Sequence, residues 1–357
     1  MNKVNEVYDG LLIDSSRISV VIQGLTHYVS GDSNCLFYRC VSSIKKYLPD
    51  AEIIVSTWKG QFCDESIVDI AIYNDEPESL ITLHNKQWNY NKMIVSTIQG
   101  INSSTREYIL KFRADLQLKG TSFFKITKKN SNNYLSKYRI NNHLINITNL
   151  YIRKPNSYAS LLFHLSDIVQ FGHKVDMLNL WNRNILNSKD ALFTEKKFKL
   201  CFFYPYLSNE KLVPEQTLMI GWLKSNQFDI DLKFPGFINF KYFKISEIIL
   251  SLNFSTFNWE KSDIIFPKRF TENKKDLEKT LYSSDYLNNV FEKKKSIYYF
   301  ERKFIQILYT RYLGRFFIFE VWLCIMASIL FFISPSIFFN IKNVWKKIKL
   351  LRLKVVN

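Results

Sequence analysis

The amino-acid sequence predicts an α/β fold: a doubly wound sheet flanked by helices, followed by a helical, hydrophobic and basic C-terminal extension. Three observations carry this. Short β-branched apolar runs alternate with stretches of three- and four-residue apolar spacing up to Phe112. Gly and Pro are scarce, 10 and 8 in 357 residues, and no flexible linker composition interrupts the long N-terminal part. The formal charge of +17 is concentrated late in the chain.

In order, Ile18 to Ile22 (ISVVI) is a continuous apolar run suited to a strand buried on both faces, ending at Gln23-Gly24. Ser33 is placed to cap a helix carrying Leu36, Phe37, Cys40, Val41, Ile44 and Tyr47, which Pro49 stops. Ala51 to Ser56 (AEIIVS) reads as a second strand, and Ile67 to Tyr73 as a third that breaks at Asn74-Asp75-Glu76-Pro77. A helix is expected from Lys86 to Ile101, then the strand Tyr108 to Phe112 (YILKF). Beyond Gly120 the reading is a short helix at Phe123 to Lys128, a strand at His143 to Tyr151, and helices at Asp167 to Trp181 and Pro214 to Ser225. Phe202-Phe203-Tyr204 and Phe234 to Phe243 are expected to cover the sheet or line a cleft. Two regions follow: 1–265 as the α/β domain, and 266–357 as a basic helical region.

A hydrophobic content of 47% is enough for a large core. The five cysteines form no CxxC pair, and the five histidines form no HExxH, with His164 and His173 too far apart for one helix turn. Histidine-based zinc catalysis is therefore not expected. The start MNKVNEVYDGLLID lacks the pattern of a secretion signal. From Lys268 onward there are 18 Lys and Arg against 7 Asp and Glu, so most of the positive excess is C-terminal. Lying beside a hydrophobic stretch, it points to a membrane surface and away from nucleic acid.

In open α/β sheets ligands bind outside the carboxyl ends of the strands, so the polar residues that end each apolar run are the first candidates. Gln23 and Gly24 offer an amide and an exposed backbone, or a plain turn. Thr57 and Trp58 offer a stacking surface, or core packing. Asn91, at the start of its helix, offers a donor to phosphate or hydroxyl, or a solvated side chain. Arg113 and Asp115 flank Ala114 and project to one side of an extended segment. That pair suits a metal-bound diphosphate, whose growing negative charge both a cation and a guanidinium stabilise, or else a structural ion pair at a strand end. Glu215, after Pro214, is either a helix-start residue favoured by the helix dipole or a general base for an acceptor hydroxyl. His164 and Asp167 form a further polar cluster.

The segments ISVVIQG, SIKKYLPDAEIIVSTWKG, the NDEP turn, NYNKMIVSTIQG, YILKFRADL, YIRKPN, FHLSDIVQFG and PEQTLMIGWL occur in order from Ile18 to Leu223. In this series the chain resembles the WavE lipopolysaccharide-synthesis family of bacterial glycosyltransferases, with the region after Lys261 outside the match. The resemblance implies a GT-A-like, Rossmann-type mixed sheet, a nucleotide-sugar donor and a lipid-linked glycan acceptor. It implies Asp115 as ligand of a divalent cation, Mn or Mg, with Arg113 beside it, and Glu215 as base. Gln23, Gly24, Thr57, Trp58 and Asn91 are then the donor-binding candidates. One departure is that the site reads R-A-D where the usual D-x-D has two acids, so arginine takes part of the cation's work. Competing readings are a sugar-phosphate transferase of the same pathway, a non-catalytic membrane adaptor, or a charge-driven nucleic-acid binder.

Phe316 to Phe339 contains Glu320 as its single charge and is long enough to cross a bilayer. Basic residues flank it on both sides, Arg302, Lys303, Arg311 and Arg315 before and Lys342, Lys346, Lys347, Lys349, Arg352 and Lys354 after. Positive flanks prefer the cytoplasmic face, so an in-plane anchor is expected ahead of a single span or a buried helix. The expected location is the cytoplasmic face of the bacterial inner membrane.

Overall fold

Ile18–Gln23 (β1) is buried at every position, which requires cover on both faces of its sheet. Val20 and Ile22 enter one apolar layer and Val21 the other, as the two-residue period of a strand dictates. A computed structural model describes residues 11–82, 87–126, 133–157, 160–193, 209–272, 274–289 and 297–317, with scattered positions from 322 to 344.

The main sheet continues with Glu52–Trp58 (β2), Ile70–Asn74 (β3), Tyr108–Phe112 (β4), Ile145–Thr148 (β5), Gln170–His173 (β6) and Phe254–Phe257 (β7). Its order is β7-β5-β6-β4-β1-β2-β3. All neighbours pair parallel except β6, which runs against both β4 and β5. Leu36–Tyr47 (α1) buries Phe37, Cys40, Val41 and Ile44 on the Val20 face. On the Val21 face lie Tyr90–Ser103 (α2), Lys174–Trp181 (α3), Pro214–Ser225 (α4) and Phe240–Asn253 (α5). The mixed α/β sheet flanked by helices is thus as expected.

Several local expectations change. Ser33 does not cap α1: Asp32 accepts from the Asn34 N–H at 2.8 Å in a turn, the cap position falls on Cys35, and the helix starts at Leu36. The expected helix at 167–181 is half strand, because Val169 and Phe171 alternate into the α1-side layer and β6 fills the gap between β4 and β5. The expected helix at 123–128 is one tight turn, Ser122–Phe124, whose continuation Lys125–Ile126 pairs with Leu11–Leu12. The start of the expected helix at Lys86 and the aromatic run Phe202-Phe203-Tyr204 lie outside the described residues. Phe243 is fully buried and Phe234 packs edge-on against Phe237, so this aromatic stretch packs.

The C-terminal region is helical and anchored by a buried charge. Glu247 on α5 accepts hydrogen bonds from Tyr282 at 2.9 Å, from Tyr286 on Ser284–Asn289 (α6), and from Lys303 on Ile297–Tyr312 (α7) at 3.0 Å. Lys303 also lies 3.4 Å from the centre of the Tyr286 ring. Among the described residues no helix is long and apolar enough to cross a membrane.

Gly100 on α2 marks the closest approach of helix to sheet, since a Cβ there would lie 2.2 Å from Val21 Cγ1. Gly100→Ala is expected to lower stability by about 1–3 kcal/mol in denaturant unfolding, and Val21→Ala in the same chain to recover part of the loss. An unchanged midpoint for Gly100→Ala would contradict this packing.

Candidate functional site

From β1 the chain steps outward to β2 and β3, then returns to place β4 on the other side of β1. The order reverses between β1 and β4, and in open α/β sheets the carboxyl ends of the strands at such a reversal are where ligands bind. Gln23 ends β1, with its Oε1 accepting from Ser96 Oγ at 2.9 Å. Gly24 follows at φ +90, a left-handed conformation that favours glycine, and its N–H donates to the Ser56 carbonyl at 3.0 Å.

Arg113 and Asp115 stand just past β4, as expected. Arg113 grips Asp115 with two bonds, Nε to Oδ1 and Nη2 to Oδ2, both 2.9 Å. A second guanidinium, from Arg269, bonds the same Oδ2. The Asp115 side chain is 1% exposed, whereas Arg113 and Arg269 are 33% and 52% exposed. Both guanidiniums rest on the Phe270 ring, at 5.3 and 4.8 Å from its centre. Burial alone would raise the Asp115 pKa; the Arg113 bonds and the two positive charges outweigh it and hold the carboxyl below its ordinary range. His27, at φ +54, completes the rim, and its charge is disfavoured by burial.

This arrangement fits a cation poorly. Both Asp115 oxygens are taken by guanidinium groups, so a metal ion would have to displace one of them and then bind through a single acid. Two guanidiniums fixed by a buried carboxylate instead form a clamp whose remaining N–H groups are of the kind that bind phosphate oxygens.

Below the clamp lies Lys111, fully buried on β4, 4.8 Å from the centre of the Trp181 ring and donating to the Asp167 carbonyl. Burial pushes its pKa down to about 8, with Asp167 and Glu215 pulling the other way. It pins the loop that carries His164 and Asp167. Glu215 opens α4 with His164 Nε2 at 3.7 Å from its Oε2. His164 is buried and its pKa is pushed down to about 3 by burial, then by Arg153, so it faces Glu215 as a neutral ring.

Other candidates fall elsewhere. Trp58 is 3% exposed and packs in the interior, so it presents no stacking surface. Thr57 is also buried, with its Oγ1 lacking a hydrogen-bond partner. Asn91 is committed elsewhere: its amide donates to Leu186 O at 2.8 Å and accepts from Leu186 N at 2.9 Å, stapling that loop to α2. Arg269, His27 and Lys111 are additions. Only Lys111 left a sequence signal, a lysine inside a buried strand.

His143, His173 and Asp176 form a group able to hold a metal ion, with ligand atoms within 4.8 Å of one another. His143 Nδ1 is 3.1 Å from Asp176 Oδ2, and the Asn142 and His143 N–H groups fix that carboxylate at 2.9 and 3.0 Å. His173 pairs with Tyr108, the first residue of β4. The group therefore lies at the opposite end of β4 from Asp115, with the strand's own length, about 13 Å, between the two ends. The pair is invisible to any rule of local histidine spacing.

A model of the family described as WavE lipopolysaccharide synthesis matches residues 18–318. The match extends well beyond Leu223 and takes in Arg269, Glu247 and most of the C-terminal helices. No curated protein matches the chain. The neutral His164 generates a prediction. Below pH 6.5 the unfolded chain takes up a proton that the folded protein refuses until about pH 3, so stability is lost as pH falls through this window. His164→Gln is expected to flatten the acid limb of a stability–pH curve by up to about 4 kcal/mol; an unchanged limb would contradict a neutral buried ring.

Proposed function

The chain belongs to the WavE lipopolysaccharide synthesis family, and from that premise we propose that it is a glycosyltransferase moving a sugar from a nucleotide-sugar donor to a lipid-linked glycan. The observation that supports this reading most is the clamp of Arg113 and Arg269 on Asp115, at the point where the strand order reverses. The donor lies across the carboxyl ends of β1 and β4, with the backbone at Gly24 allowing close approach. As the bond between the sugar and the diphosphate breaks, its electron pair stays on the diphosphate oxygen, and the two guanidiniums stabilise that charge. Asp115 acts as the positioning residue that aims them.

The acceptor hydroxyl attacks the anomeric carbon from the opposite side, and Glu215 takes its proton, which inverts the configuration. The neutral state of His164 keeps Glu215 free of a neighbouring imidazolium. The two guanidiniums take the place of a cation here, because the donor set around Asp115 fits one poorly.

The enzyme works at the cytoplasmic face of the inner membrane. Tyr298, Ile305, Tyr309 and Leu313 are 72%, 66%, 61% and 57% exposed, and their spacing puts them on one side of α7 and its exit, followed by Phe317 at 88%. This stripe, with exposed Arg302 one turn from Tyr298 on the same side, suits an in-plane contact with anionic lipid, whereas Lys303 and Arg311 turn inward to Glu247 and to Ser160 and Gly236.

Incubated with a panel of nucleotide sugars and lipid-linked acceptor, the protein is expected to yield a product heavier by one glycosyl residue. An added phosphate would favour the sugar-phosphate transferase instead. Arg113→Ala and Arg269→Ala are each expected to lower kcat by about 10²–10³, and Glu215→Gln by about 10²–10⁴; full activity in the arginine variants would overturn the clamp's role. In a vesicle co-sedimentation assay, Ile305→Ser with Phe317→Ser is expected to weaken binding to phosphatidylglycerol vesicles, and undiminished binding would remove the stripe from the membrane contact.

A further inference from the structure

A cavity of about 390 Å³ opens away from the clamp, lined by residues that follow the carboxyl ends of β5 and β7. Both strands run parallel to β4, so the cavity is on the same edge of the sheet as Asp115. β5 is two places from β4, a lateral offset of about 10 Å. The same turn serves both places: Arg269 reaches Asp115, while the adjoining Phe270 carbonyl accepts from Tyr151 at 3.2 Å. Tyr151 begins the YIRKPN segment, which supplies Lys154 and Asn156 to the cavity wall.

The lining has the chemistry of a carbohydrate site. Trp259, half-buried, supplies an indole whose face matches the C–H face of a pyranose, and Asn156 and Asn258 supply amides for hydroxyl groups. The lysines are not equivalent. Lys274 is paired with Glu260 at 2.5 Å and Lys303 with Glu247 at 3.0 Å. Lys154 has a long contact, 3.4 Å, to the Glu278 carbonyl, and among the described residues no carboxylate forms an ion pair with it. With Lys274 and Lys303 committed to Glu260 and Glu247, Lys154 is the cavity lysine placed to receive an anionic substituent, on a wall it shares with the exposed carboxylate of Glu278.

We propose that this cavity binds an acidic sugar of the acceptor glycan, stacked on Trp259 with its carboxylate or phosphate on Lys154, one or two rings from the hydroxyl that is glycosylated. The proposal rests on the glycosyltransferase reading for the direction of the chain, but binding is testable without turnover. Saturation-transfer NMR on the full chain would use methyl β-D-glucuronide, glucose 1-phosphate, neutral methyl β-D-glucoside and inorganic phosphate. The expected result is transfer to the two anionic sugars, reduced about tenfold in affinity by Lys154→Gln, with weaker transfer to the neutral glucoside. UDP binding should be unchanged in that variant. Trp259→Phe, which keeps an aromatic in the wall, should retain part of the binding.

Equal binding of the neutral and acidic glucosides, or affinity unmoved by Lys154→Gln, would overturn the role of the acid group. Displacement of the sugars by inorganic phosphate at equal affinity would show a general anion site and overturn the saccharide assignment. Failure of the transferase reading has a separate signature, the absence of binding by the unaltered protein to every nucleotide and nucleotide sugar of a panel covering UDP, GDP, dTDP and CMP.

Discussion

A carboxylate removed from water between two guanidiniums is the interaction on which the candidate site depends. Asp115 is almost wholly inaccessible, and a buried charge deprived of its partner costs about 3–5 kcal/mol. The pair is local on one side, since Arg113 is two residues away, and distant on the other, since Arg269 comes from a turn 154 positions along the chain. The C-terminal region is thus part of the construction of the site. The Glu247 anchor repeats the device on the same scale, tying α5, α6 and α7 through one buried acid.

The antiparallel strand β6 does the rest of the positioning. Entered from the carboxyl edge, it brings the loop with His164 and Asp167 beside the end of β4, where Lys111 holds the Asp167 carbonyl. Trp181 donates to Gln170 at 2.7 Å and Gln170 to the Ser166 carbonyl at 2.9 Å, so the loop is fixed from below as well. Glu215 then meets this loop from α4, at the position where a helix dipole favours a carboxylate. The same topology puts the two proposed ligand sites on one edge: one at the reversal between β1 and β4, another beyond β6 at β5 and β7.

What the sequence disclosed follows from range. Strands β1, β2 and β4 and the helices α1 and α4 were legible because burial on two faces and three- to four-residue spacing are local signals. The rule that strand ends carry ligands singles out Arg113 and Asp115, and the fold pairs them just past the end of β4. β6 was read as helix because a four-residue strand with a buried Gln and a Gly carries little local pattern, and its identity comes from two partners distant in sequence. Arg269 and the grouping of His143 with His173 depend on tertiary approach alone. Asn91 and Trp58 were correctly placed near strand ends or helix starts, yet their side chains answer to local backbone and core packing.

The central claim is that two arginines aimed by Asp115 hold the diphosphate of the donor. Calorimetric titration with UDP in the presence of EDTA tests it most directly. Binding should persist without any divalent cation and should fall sharply in Arg269→Lys, whose ammonium keeps the charge but lacks the planar fork. Binding that appears only when Mn or Mg is added, and that Arg269→Lys leaves untouched, would contradict the account.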